Sequence, residues 1–142
     1  DKNYNFVFGE YSILENGSDL LILATGSIVS QAIIASKILS KKNIKCQIVN
    51  VHTLKPLSKK IGPLLAKFKK IVTIEEHSII GGLGSIIAEK IVFCSYNSHL
   101  LNIALPDCFG PTGTYNYLLD FHGLTGPKIA KKIIKFLKVK KI

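Results

Sequence analysis

The sequence has 142 residues, 47% hydrophobic and 20% charged, which is room for one domain with a sizeable core and excludes a disordered chain. Its net charge is +10, but all 19 basic residues are lysine, spread over helix faces and loops without the aromatic pattern of single-strand binders, so neither a nucleic-acid partner nor a guanine- or phosphate-reading fork is expected. Three cysteines (Cys46, Cys94, Cys108) give neither a disulfide framework nor zinc spacing, and with no signal-peptide pattern and no apolar run of membrane-spanning length the expected setting is cytoplasmic, without a membrane partner.

Apolar runs at 11–14 and 20–24 flank Asn16-Gly17, a pair that tolerates positive φ, so a β-hairpin is expected to open the sheet as an antiparallel edge pair. Val29, Ala32, Ile33, Ser36 and Leu39 recur at helical spacing, and Lys41-Lys42-Asn43 supplies cations and a left-handed cap. The near-continuous apolar run at 46–51 predicts a strand covered on both faces. A helix should follow Pro56, with Ser58 as candidate N-cap and Gly62-Pro63 delaying or distorting its first turn. A strand at 71–75 then leads into a helix traced by Leu83, Ile86, Ile87, Lys90, Ile91 and Cys94, followed by a last strand at 100–105 and helices near 114–122 and 125–139. Strands alternating with helices mean βαβ units and a mainly parallel sheet. The length fits a single domain, 1–142, and because the chain has no methionine it is expected to be a piece of something longer.

Several segments carry candidate chemistry. Thr25-Gly26-Ser27 lies where a predicted strand meets a helix N-terminus, a place where free N–H groups attract anions; the plainer reading is that Ser27 caps the helix. Gly81-Gly82-Leu83-Gly84-Ser85 is a second helix entry, whose glycines admit a phosphate or a neighbouring backbone, although the lysine of a Walker loop is absent. Glu75, Glu76 and His77 end a predicted buried strand and suit either acid–base work or a polar anchor at an interface. His52 sits at another strand end, so parallel topology would bring His52, His77, Thr25 and Asp107 to one sheet edge; their separations match no compact metal signature. His99 and His122 look incidental. The lysine-rich tail is amphipathic, with Ile129, Ile133, Phe136 and Leu137 as its stripe, and is read as a core-covering helix rather than a membrane anchor.

The segments Ala24-Thr25-Gly26-Ser27, His52-Thr53-Leu54-Lys55-Pro56-Leu57, Glu75-Glu76-His77 with its glycine turn, and Asp107-Cys108-Phe109-Gly110 fall in one order over nearly the whole chain. In that order the chain resembles the C-terminal domain of transketolase-like, thiamine-diphosphate-dependent enzymes. The resemblance implies a three-layer αβα fold with a mostly parallel five-stranded sheet and one antiparallel edge strand. It implies a homodimeric parent that moves two-carbon ketol units between sugar phosphates. Upstream domains or a separate subunit would hold thiamine diphosphate and Mg2+ through a Gly-Asp-Gly motif. Here none of Asp1, Asp19, Asp107 and Asp120 precedes a glycine, so no catalytic, cofactor or metal residue is expected in this chain, which alone should be inactive. Thr25, Ser27, His52, Glu75, Glu76, His77, Gly82 and Gly84 then stand as interface or anion-binding candidates. Deoxyxylulose-phosphate synthase shares the Glu-Glu and Gly-Gly-x-Gly-Ser elements and is the enzyme alternative; Glu-Glu-His and the Phe109-Gly110 segment favour transketolase, with Pro111-Thr112 as a departure. A stand-alone phosphate- or nucleotide-binding module using the helix N-termini at Ser27 and Ser85 is the competitor from another class.

Overall fold

Five consecutive apolar side chains, 20–24, cannot all face one way in an extended strand, and their alternation builds the molecule. In the computed structural model, which describes residues 6–138, Leu20, Ile22 and Ala24 enter one apolar cluster while Leu21 and Leu23 enter another, and all five are fully buried. They belong to β2 (Leu20–Thr25), the middle strand of a sheet completed by β1 (Ser12–Glu15), β3 (Cys46–Asn50), β4 (Lys70–Ser78) and β5 (His99–Leu105). The strand order is β1-β3-β2-β4-β5, with β2, β3, β4 and β5 parallel and β1 antiparallel to β3. This is the expected three-layer, mostly parallel αβα sheet with one antiparallel edge strand.

Helices α1 (Val29–Ser40), α4 (Tyr115–Phe121) and α5 (Gly126–Lys138) cover one face, where Ala32, Ala35, Leu39, Leu119, Ile129 and Ile133 meet Ile22, Val72 and Ile74. Helices α2 (Ile61–Leu65) and α3 (Leu83–Phe93) cover the other with Leu65, Leu83, Ile87 and Ile91. The expected end of α1 is present: Asn43 adopts φ 59°, and Ile44 N–H bonds back to the Leu39 carbonyl. The tail helix packs as read from its stripe, with Ile129 and Ile133 fully buried, and Lys70 Nζ donates to the Leu137 carbonyl at its far end. The last expected position of that helix, Val139, lies outside the described residues.

The expected hairpin does not form. Although β1 and β2 are consecutive, β1 pairs with β3 (Ser12 opposite Asn50), and the connection crosses the start of β3. Neither Asn16 nor Gly17 has positive φ; Gly17 serves close approach instead, since a β-carbon there would lie 2.6 Å from the Gln47 nitrogen and on the Cys46 carbonyl. The first turn after Pro56 is delayed, as Gly62-Pro63 suggested: α2 runs only from Ile61, and Ser58 supplies its carbonyl to Ile61 N–H and its hydroxyl oxygen to Lys60 N–H. β4 continues to Ser78, so Glu75, Glu76 and His77 lie within the strand rather than at its end, beyond Ile74 where its register with β5 breaks.

Candidate functional site

From β2 the chain moves to β3 on one side, whereas β4 lies on the other. The strand order thus reverses between β2 and β4, and in open α/β sheets the crevice outside the carboxyl ends of such strands is where ligands and partners gather. An open hollow of about 690 Å³ lies there, lined by Thr25, Gly26 and Ser27 after β2, by Glu75, Glu76 and His77 of β4, by Gly81 and Gly82 before α3, and by Leu54 and Tyr115. Six of the eight sequence-derived candidates therefore meet: Thr25, Ser27, Glu75, Glu76, His77 and Gly82.

Glu75 has a defined task. Its carboxylate is 1% exposed and accepts from the backbone N–H groups of Leu83 (2.7 Å) and Gly84 (2.8 Å), the unsatisfied donors at the start of α3. Gly82 has ordinary extended backbone (φ −85°, ψ −159°), so its role is space: a β-carbon there would be 2.6 Å from the Glu75 carboxyl carbon. The glycine turn that could have admitted a phosphate admits this carboxylate, and Ser85 Oγ accepts from Gly81 N–H to close the loop. Gly84 faces elsewhere; a side chain there would strike Asn102 of β5, which accepts from the Thr73 hydroxyl, so this glycine sets the contact of α3 with the sheet.

Glu76, next along the strand and on its other face, is half-buried and accepts from Ser27 Oγ (2.5 Å) and Tyr115 Oη (2.8 Å). The Ser27 hydroxyl is therefore not an N-cap. A 3-10 turn, Gly26–Ile28, precedes α1, with Gly26 at φ 73° and no side-chain cap, because the hydroxyl has been drawn to the neighbouring strand. Tyr115, one residue beyond the Thr114 N-cap of α4, was not singled out from sequence; its signal was only an aromatic in the first turn after a glycine-rich loop. His77 is exposed, its Nδ1 3.4 Å from the Ser78 carbonyl.

Thr25, His52, His77 and Asp107 all lie toward the carboxyl ends of parallel strands, the one sheet edge expected for them, but only Thr25 and His77 line this hollow. The chain after β3 carries His52 into a smaller hollow with Val7, Glu10, Tyr11 and Lys60, where its ring lies 4.7 Å from that of Phe6 and its Nδ1 is 3.1 Å from Thr53 Oγ1. There Lys60 (3.0 Å) and the Ser58 hydroxyl hold the Glu10 carboxyl below its ordinary pKa. Asp107 lines a third hollow of about 770 Å³ with Cys108, Phe109, Leu118 and His122. Among the described residues no group of three or more His, Cys, Asp or Glu is arranged to hold a metal ion, and no helix is long and apolar enough to cross a membrane.

The model of the "Transketolase, C-terminal domain" family matches residues 9–129. The chain belongs to the transketolase C-terminal domain family. A protein named as a transketolase C-terminal section from Methanocaldococcus jannaschii is 41% identical over 138 residues, which cover 97% of this chain and 43% of the relative. A 1-deoxy-D-xylulose-5-phosphate synthase of Dictyoglomus thermophilum is 42% identical over 135 residues, covering 94% of this chain and 22% of that enzyme. Among solved structures, one titled "Split gene transketolase, inactive beta4 tetramer" superposes with a TM-score of 0.89 at 32% identity, over 99% of this chain and 46% of the other. The chain thus spans less than half the length of these transketolase C-terminal domain relatives.

Proposed function

We propose that this domain is the C-terminal structural and interface part of a thiamine-diphosphate-dependent transketolase, which moves two-carbon ketol units between sugar phosphates. The observation that carries the reading is that the carboxyl edge spends its anion-binding groups internally: Glu75 occupies the start of α3, and Glu76 takes the Ser27 hydroxyl beside α1. A diphosphate and its metal need free N–H groups and a carboxylate cluster, and these residues do not fit that group. No catalytic step is assigned to them. The same occupancy argues against a stand-alone phosphate or nucleotide module. Thr25, Ser27, Glu76 and His77 serve as polar positions at a contact with another domain or subunit, while Glu75 and Gly82 shape the loop that meets it and Gly84 seats α3 on the sheet behind it. Thiamine diphosphate and Mg2+ belong to the remaining part of the enzyme, on the same chain or a separate subunit, in a homodimeric cytoplasmic assembly.

The test is reconstitution. This chain alone should show no heat of specific binding when titrated with thiamine diphosphate and Mg2+, and no ketol transfer, whereas the full-length protein, or this chain co-purified with its thiamine-binding section, should transfer a two-carbon unit from a ketose phosphate to an aldose phosphate. A stoichiometric micromolar complex with the isolated chain would overturn the assignment. A second reading rests on the equal likeness to the synthase: formation of 1-deoxy-D-xylulose 5-phosphate by the assembled protein, in place of ketol transfer, would select it.

A further inference from the structure

The lysines are unevenly placed. Nineteen occur in the chain, yet between residues 71 and 127 there is one, Lys90, against five acidic residues. Lys90 leans toward Gly62 of α2, so it belongs to the α2–α3 layer. The surface built by the end of β4, the loop after β5 and α4 contributes no lysine of its own in a chain with a net charge of +10; the lysines that reach it come from α5 at the far end of α4, where Lys128 Nζ pairs with Asp120 (2.7 Å) and Lys132 Nζ donates to the His122 carbonyl.

That surface is instead apolar and aromatic. Ile80 is 65% exposed, Phe121 56%, and Phe109 is fully exposed; Ile79, Tyr115 and Tyr117 are exposed beside them. The hollow at the strand-order reversal and the one around Asp107 adjoin here, because Glu76, His77 and Ser78 run along one strand from the first to the second, and Tyr115 and Leu118 stand one turn apart on α4. Lysine depletion with aromatic enrichment distinguishes the centre of a protein interface from ordinary solvated surface. Among the described residues neither Glu76 nor Asp107 has an ion-pair partner.

We propose that this lysine-poor face docks a protein surface that is apolar with guanidinium or ammonium groups aimed at Glu76 and Asp107, borne by the remaining part of the transketolase. This rests on the function proposed above and names the partner's chemistry. A second copy of this domain is the poorer occupant. Face to face it would set Glu76 and Asp107 against a lysine-poor surface whose Lys128 is already paired with Asp120, and meeting its lysine-rich faces instead would give a head-to-tail contact that does not close by two-fold symmetry.

The test uses the full-length enzyme, or the complex of its sections, with the photo-crosslinking residue benzoylphenylalanine at position 109 or 117, and mass spectrometry of the products. The expected result is a cross-link to a peptide of the thiamine-binding part that contains arginine or lysine, several-fold weaker in Asp107→Lys than in Asp107→Asn. Asp107 is exposed, so its replacement should leave the fold intact; Glu76→Lys should act in the same direction. Cross-links to the same face of a second copy, an acidic captured peptide, indifference to Asp107→Lys, or no cross-link in an enzyme that transfers ketol units would overturn the proposal. A basic captured peptide in an assembly without ketol transfer would leave the surface standing and sink the enzymatic reading.

Discussion

Replacing Gly82 by alanine isolates the anchor of α3. The backbone at Gly82 suits any residue, so the substitution has no conformational cost of its own, and helix propensity is not at issue because the position precedes the helix. The whole effect is steric: the new methyl group would lie on the Glu75 carboxylate, 2.6 Å from its carbon, in a site where both residues are buried. Glu75 would have to swing away from Leu83 and Gly84 N–H, breaking two charge-assisted bonds of 2.7 and 2.8 Å. With about 1.5–3 kcal/mol for each of the two bonds, the loss should be about 3–6 kcal/mol. Urea denaturation of wild type, Gly82→Ala, Glu75→Ala and the double variant closes a mutant cycle. Because Glu75→Ala frees the space, the double variant should be no less stable than Glu75→Ala alone, a strong departure from additivity. If Gly82→Ala matches wild type, or the two losses simply add, the carboxylate is not what fills the glycine turn.

Other expectations concern the layers. Ile133→Ala should cost about 2–5 kcal/mol, since its side chain is fully buried between α5 and the sheet, while exposed Lys131→Ala should change the unfolding midpoint little; the reverse ranking would mean that α5 is not a core helix. Burial, with Glu15 nearby, pushes the Cys46 thiol up to about 11 from 9.0. The folded state then keeps a proton that the unfolded chain releases, so about 2–3 kcal/mol of stability, present below pH 9, should drain away as pH rises toward 11. Cys46→Ala should flatten that part of the pH–stability curve, and an unchanged slope would refute it. Native alkylation should modify exposed Cys94 and Cys108 but spare Cys46 until denaturant is added, as peptide mapping would report.

The parallel sheet, its two covering layers and the amphipathic closing helix were readable because each rests on local periodicity: the 3.6-residue stripe of α5, the unbroken apolar run of β2 and the near-continuous one of β3 point to one solution each. The partner of β1 was not. Asn16-Gly17 satisfies the local chemistry of a hairpin, but the pairing is decided by the edge that β3 leaves open, more than 30 residues further along. At the site, the acidic pair and the glycine turn were visible, yet their coupling was hidden, since nothing in the spacing of Glu75 and Gly82 says that one occupies the space the other vacates. Tyr115 escaped for a related reason: its hydroxyl reaches Glu76 only after α4 has docked across 39 residues of chain. The strand end that carries His52 was legible, but not which hollow it lines, because the loop after β3 turns toward Glu10 and Lys60.

The path of the chain into β1 also orders events during folding. A hairpin would close within a few residues, whereas β1 needs the β2–α1–β3 unit to exist before its edge is available, so its pairing adds to contact order and bears a longer loop-closure entropy. The first strand written in the sequence thus pairs with a strand beyond α1, Ser12 opposite Asn50, and not with the strand that follows it. Once in place it covers one side of β3, leaving β5 as the parallel edge and denying the strongly apolar middle of the sheet a template for pairing with another chain.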